Sequence, residues 1–267
     1  MSEQQSVNVE ENVPVKKTAP DTRIKKLSEK EIIDTILVNM PTTEEVPVKL
    51  PSNNKFYSLM DPAKPITVRA MTFEDERAMM SHKNVNVDIL NTLLTRCVSN
   101  INVSHLLQMD KLYLVMKMRE LSYGNEYKAN INCNGCKKDN EVTFTLSEMP
   151  VNYLEEDATD PMEITLPVLQ KDILLRRPRV EDETYFSNAE FAIANLWRFV
   201  ESIDGHTEKG VISKVIPQLP LKDAHALLDA LSGNTYGIDT KVRFVCNFCS
   251  HNEVMELPIT TDFFTGS

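Results

Sequence analysis

Glycine is scarce in this chain: seven residues in 267, too few for the loops that wrap a phosphate in bare backbone. Neither G-x-G-x-x-G nor G-x-x-x-x-G-K-[ST] occurs, and H-E-x-x-H and G-x-S-x-G are missing too. The five histidines are scattered. His105 and His225 fall in helical patterns, where a surface or hydrogen-bonded histidine is ordinary, and His82 and His206 lie in loop-like stretches. None stands at a spacing that would join it to a nucleophile and a carboxylate. No catalytic residue and no small-molecule substrate is expected.

Long apolar runs are also missing. No stretch approaches the roughly 18 residues of a membrane span, and the N-terminal MSEQQSVNVEENV lacks the basic and then apolar order of a secretory leader. Positive charge is in deficit, 29 Lys and Arg against 39 Asp and Glu for a net −10. That balance disfavours wrapping nucleic acid or lying on an anionic membrane. The expectation is a soluble globular protein, 42% apolar and 25% charged, with one or two domains and protein partners.

Residues 1–45 differ from the rest. VEENVPVKKTAPDTRIKK is rich in charge and proline and poor in large apolar groups, so a mobile tail is expected. One island interrupts it at about 28–38, in LSEKEIIDTILVNMP. Ser28 followed by Glu31 reads as a capping box, and Ile32, Ile33, Ile36 and Leu37 share one helical face until Pro41. So short a helix is marginal alone and must pack on its own body or on a partner.

Of five cysteines, four stand in two C-x-x-C pairs, which fits a reducing compartment better than a disulfide framework. Cys97, in ILNTLLTRCV, reads as a small core residue. The pairs sit in near copies, CNGCKKDNEV from Cys133 and CNFCSHNEV from Cys246. The likeness extends upstream. At an offset of 113 residues, set by Cys133 and Cys246, the segments from Asp110 and Asp223 align without a gap and share eight identities in 27 positions. These include Leu114 with Leu227, Tyr123-Gly124 with Tyr236-Gly237, and Lys128 with Lys241. Further upstream, at an offset of 107, VRAMTFEDE from Val68 faces LRRPRVEDE from Leu175. An internal duplication is expected.

Each copy reads alike. An extended segment (PITVRAM; DILLRRP) leads into a helix opened by an acidic triplet, Glu74–Glu76 or Glu181–Glu183, at the positive end of the dipole. VDILNTLLTRCVSNI and the Asp110 segment, then ETYFSNAEFAIANLWRFVESI and the Asp223 segment, read as further helices. A hairpin with the C-x-x-C at its tip closes each copy. The fold class expected is α+β: two tandem pseudo-symmetric repeats, 46–148 and 166–264, joined by an acidic linker at 149–165.

Two thiolates at the tip of one turn can point at one tetrahedral metal, and a second knuckle completes four sulfur ligands with no open position. Cys133, Cys136, Cys246 and Cys249 are therefore candidate ligands of a structural zinc site like that of a zinc ribbon, across 109 intervening residues. Metal-free thiols and a redox pair are the alternatives, the latter disfavoured because neither knuckle opens a helix. His251 could replace a cysteine, though a solvated turn residue is the simpler reading. Basic RRPR at Arg176–Arg179 reads as a charge-paired strand edge, and the acidic triplets as solvated helix starts.

LPSNNKFYSL followed by ITVRAMTFEDE, then RELSYGNEY and a C-x-x-C hairpin, resembles the baseplate hub and hub-assembly proteins of T-even-type contractile-tailed bacteriophages, over roughly Val46 to Phe264. The resemblance implies a late protein made in the host cytoplasm. It would bind other hub proteins and either stay in the virion tail baseplate or act during assembly. It brings no catalytic residues and no metal assignment, so zinc rests on cysteine spacing. A nucleic-acid-binding zinc-ribbon protein is the alternative from another class, supported only by Lys137, Lys138, Lys241 and Arg243. A redox or hydrolytic enzyme would need a depressed thiol pKa or a cleft of convergent titratable groups.

Overall fold

The computed structural model describes residues 28–38, 44–80, 87–186, 189–232, 236–259 and 261–264. Most of the expected mobile tail and His82 lie outside the described residues. The chain divides into two compact units, Met1–Asn39 and Met40–Ser267.

In the first unit, helix α1 (Glu29–Leu37) opens on the expected capping box. The Ser28 hydroxyl accepts the Glu31 N–H at 3.2 Å, and the Glu31 carboxylate accepts the Ser28 N–H at 2.7 Å. Ile32, Ile33, Ile36 and Leu37 are all exposed.

The second unit is α+β and begins with an antiparallel sheet in the order β1-β2-β3, from Val46–Val48, Ile66–Val68 and Val98–Ser99. Between its last two strands run α2 (Phe73–Met80) and α3 (Val87–Cys97). Helix α4 (Gln108–Tyr123) follows, buried or half-buried at every position but Leu121, with Tyr113, Leu114, Val115, Met116 and Met118 buried alongside the charged Asp110, Lys111 and Arg119. It stops at Gly124, whose φ of +85° is a left-handed conformation that glycine adopts without steric cost. Strands β4 (Glu126–Asn132) and β5 (Asp139–Thr145) form the first hairpin. In β4, strict alternation turns Tyr127, Ala129 and Ile131 inward.

The expected linker 149–165 is built into this unit. Its β6 (Val151–Asn152) and β7 (Met162–Thr165) are both paired strands. A second antiparallel sheet, β7-β8-β9, joins β7 to Asp172–Leu175 and Val200–Ile203, with α5 (Ala189–Asn195) between the last two. Then come α6 (Lys209–Val215), α7 (Leu221–Ser232), β10 (Gly237–Ile238), which pairs with β6, and the second hairpin of β11 (Lys241–Val245) and β12 (Asn252–Glu256).

Three helical expectations are corrected. VDILNTLLTRCVSNI leaves the helix at Cys97, and ETYFSNAEFAIANLWRFVESI ends in strand β9. In both places β-branched residues complete a three-stranded sheet. The backbone agrees, since Arg69 N–H donates to Cys97 O at 2.9 Å and Arg176 N–H to Phe199 O at 2.8 Å. The second acidic triplet opens a 3-10 helix, Val180–Phe186, instead of an α-helix.

Two main cores result. One gathers the first sheet, α3, α4 and the first hairpin, together with Phe244, Cys246, Leu257, Phe263 and Phe264. The other holds Leu166, Ile173, Leu175, Phe199, Val200, Ile212 and Leu227. The second hairpin thus buries Phe244 and Cys246 in the same core as the first hairpin, while Val245, Phe248 and Val254 stay exposed. Tyr127 and Phe263 rings meet edge to face at 4.9 Å, and the Tyr127 hydroxyl donates to Pro258 O at 2.7 Å.

Candidate metal centre

Each knuckle is a tight turn closed by its own backbone. Cys133 N–H donates to Lys138 O at 3.0 Å and Lys137 N–H to Cys133 O at 2.8 Å; Cys246 N–H donates to His251 O at 2.8 Å and Ser250 N–H to Cys246 O at 3.0 Å. Lys137 and Ser250 occupy the same left-handed conformation, φ +61° and +59°. One more N–H points at the first sulfur of each turn. Gly135 N lies 3.3 Å from Cys133 Sγ, and Phe248 N lies 3.4 Å from Cys246 Sγ. N–H groups aimed at sulfur favour thiolate, the form that binds metal.

The two turns face each other. All four Sγ atoms lie within 4.8 Å of one another, with Cys133 to Cys249 at 3.7 Å and Cys136 to Cys246 at 3.6 Å. A disulfide would bring sulfurs to about 2.05 Å. A tetrahedron of thiolates at about 2.3 Å from a central ion has edges of about 3.8 Å, which these cross-hairpin distances match. Cys133 and Cys246 are buried, Cys136 is half-buried and Cys249 is exposed. The cluster could hold one metal ion, with two ligands from each hairpin.

Without a cation, the thiols of the second knuckle are pushed in opposite directions. Desolvation raises the pKa of Cys246, but the N–H groups of Phe248 and Cys249 and the Cys133 and Cys136 thiols outweigh it and bring it down to about 6. At Cys249 the His251 N–H favours thiolate, yet desolvation and the sulfurs of Cys136, Cys133 and Cys246 push it up to about 12. Crowded thiolates of this kind are stabilised together by a shared positive ion.

Contacts outside the sulfurs hold the turns in place. Asn140, buried, accepts the Asn247 N–H at 2.9 Å and donates to Lys138 O, and Asn134 donates to Glu253 at 2.8 Å. Gly135 lies against the other knuckle. A Cβ there would stand 3.2 Å from His251 Cβ and Cγ and 3.5 Å from Cys249 Sγ. His251 packs on this glycine and lies 3.7 Å from Glu253. It is not among the four grouped ligand residues. Of the basic residues near the knuckles, Lys138 sits over the Phe248 ring at 4.7 Å.

The acidic triplets are solvated only at their flanks: Glu74 and Glu181 are exposed, but the middle acid of each is not. Asp75 is fully buried, bonded to Arg69 at 2.8 Å and to Arg96 at 2.5 Å; Asp182 is buried and held by Arg176 through two bonds of 2.6 and 2.7 Å. Each also accepts the N–H three residues before it, from Thr72 at 2.9 Å and Arg179 at 2.8 Å. Asp110 accepts Ser52 N–H at 2.9 Å, and Asp223 accepts Val168 N–H at 2.7 Å and Leu169 N–H at 3.1 Å. The signal for these sites lies in the aligned segments. Arginine precedes the middle acid by six positions in both, and L-P-x-x-x-K occurs at Leu50–Lys55 and again at Leu166–Lys171. RRPR is charge-paired, with Arg176 on Asp182 and Arg179 on Asp160 at 2.8 Å.

No helix among the described residues is long and apolar enough to cross a membrane. No curated protein and no solved structure matches the chain. A family model described as T4 bacteriophage base plate protein matches residues 40–265, nearly the whole of the second unit, and the chain belongs to that family of phage baseplate proteins.

Proposed function

We propose that this protein is a structural or assembly component of the baseplate hub, acting by protein–protein binding, and that a zinc ion on Cys133, Cys136, Cys246 and Cys249 pins its two halves together. The observation that carries the metal reading is the sulfur geometry, two ligands from each hairpin at cross-hairpin spacings of 3.6 and 3.7 Å. An all-sulfur tetrahedral set suits zinc or a single iron, and zinc adds no redox chemistry. A closed set leaves no position for water or substrate, so the role is architectural. Free thiols suit assembly in the reducing host cytoplasm before incorporation in the tail.

The halves have the marks of a duplication. Matched three-stranded sheets, matched Arg–Asp pairs, matched aspartates tied to an L-P turn and matched knuckles occur in the same order. In this reading neither repeat can close the metal site alone.

Metal content of protein purified without added metal, by elemental mass spectrometry, tests the site. About one zinc per chain is expected, lost together with thermal stability in a Cys133→Ser, Cys246→Ser double variant. Metal-free wild-type protein of equal stability overturns it. The hub reading is tested by co-sedimentation of the tagged chain with hub intermediates from infected cells.

A further inference from the structure

The two halves treat one surface differently. In the first, the turn at Leu50–Lys55 crosses the start of α4 and is tied down by Ser52 N–H on Asp110. An extended segment then lies across the outside of that turn. Leu154 N–H donates to Pro51 O at 2.8 Å, the Asn53 amide donates to Leu154 O at 2.7 Å, and Lys55 Nζ donates to Glu155 O at 2.9 Å. Leu154 is buried there with Leu107 and Tyr236.

In the second half the turn at Leu166–Lys171 crosses the start of α7 and is tied down in the same manner by Asp223. Its outer positions are Val168 and Leu169, where the first turn has Ser52 and Asn53. Val168 is 50% exposed, Leu169 45% and Leu221, the first residue of α7, 77%. Polar side chains under a covering strand and aliphatic ones in the open invert the usual distribution. Aliphatic groups at a turn tip, a place polar residues normally take, indicate a surface that is covered when the protein is at work.

We propose that this turn and the start of α7 form a docking site for an extended, acidic segment of another baseplate protein. The segment would lie across Val168, Leu169 and Leu221 as residues 154–156 lie across the first turn. Two features specify the occupant. The Pro167 carbonyl, equivalent to the Pro51 carbonyl that receives Leu154 N–H, has a second lone pair free to accept a strand N–H beyond its bond from Gln170. Exposed Lys222 flanks the patch, while Lys171 on its other side is already paired with Asp204 at 2.6 Å; Lys222 complements a sequence like the Leu-Glu-Glu-Asp at 154–157 that covers the first turn. The proposal rests on the baseplate reading for the identity of the partner chain.

The test places a photo-crosslinking benzoylphenylalanine at Leu221 in the full-length chain, expressed during infection, and identifies crosslinked peptides in purified baseplate intermediates by mass spectrometry. A crosslink to an acidic segment of a different baseplate chain is expected. A Val168→Ser, Leu169→Asn variant, which installs the residues of the first turn, should abolish it while leaving Tm and metal content unchanged. A chain present in the intermediates without a crosslink, or crosslinked only to a second copy of itself, overturns this proposal alone. A chain absent from them overturns the baseplate reading and this docking site with it.

Discussion

Asp110 and Asp223, 113 positions apart, are both fully buried and both accept backbone N–H groups from the L-P turn that crosses the start of their own helix. A buried N–H that loses its acceptor costs about 1–3 kcal/mol. Asp110→Ala should therefore destabilise by about 1–3 kcal/mol, and Asp223→Ala by less, because its two donors lie on half-exposed Val168 and Leu169 where water can take the place of the carboxylate. Urea unfolding of the two variants measures both. Equal, negligible losses would show that water replaces the carboxylates.

The acid limb of stability should belong largely to Asp75. Desolvation raises its pKa, but the Arg69 guanidinium, the Thr72 N–H and Arg96 outweigh it and hold the carboxyl well below its ordinary 3.8. A folded-state pKa below the unfolded one means stability that is present above 3.8 and lost as pH falls beneath it. Asp110 has the opposite sign. Burial, only partly offset by its bonds from Ser52 and Tyr57, raises its pKa, so the folded state holds its proton longer and stability declines as pH climbs from 3.8 towards that raised value. Asp75→Asn should flatten the loss below pH 4 and Asp110→Asn the decline above it, in unfolding free energy measured against pH.

Lys111 and Glu183 form a 2.6 Å ion pair, both side chains largely buried, between α4 of the first half and the 3-10 helix of the second. Removing one partner from such a pair costs about 3–5 kcal/mol, whereas replacing both with apolar groups of similar volume is often neutral. Lys111→Met alone should be strongly destabilising and Lys111→Met with Glu183→Leu much less so. A double-mutant cycle by denaturant titration reads the coupling, and additive losses would sink it.

Gly135→Ala should loosen the proposed metal centre without replacing any of the four cysteines. The added Cβ meets His251 at 3.2 Å, tighter than ordinary van der Waals contact, and one knuckle must move from the other. Overpacking of this kind costs about 1–3 kcal/mol, read as faster zinc transfer to a chromophoric chelator. Gly124→Ala, whose Cβ meets nothing within 4 Å, pays only backbone strain and should leave transfer unchanged.

Local pattern carried much of this fold. The Ser28 capping box, the alternation of β4 and the cysteine hairpins are interactions between near neighbours, and each was legible from the sequence. The ends of α3 and α5 were not, because Val98 and Val200 extend only once a strand arrives from elsewhere in the chain to pair with them. The inward turn of Asp75 and Asp182 escaped a reading based on helix dipoles, since Arg69 and Arg176, six positions back, stand just past the ends of the preceding strands and fold over onto them. The meeting of the knuckles could be argued from ligand count. The packing of the second hairpin onto the first core could not, because β11 and β12 give little sign of which surface will receive Phe244.

The cluster draws its sulfurs from both hairpins, and this sets a clock during synthesis. Cys136 leaves the ribosome 110 residues before Cys246, about 5–20 s at roughly 5–20 residues per second. For that interval the first knuckle is a bidentate half-site without its complement, open to exchange of any ion it takes up. With the proposed ion as the lock, translation speed and the local supply of metal would decide how long each nascent chain waits before its two hairpins are joined.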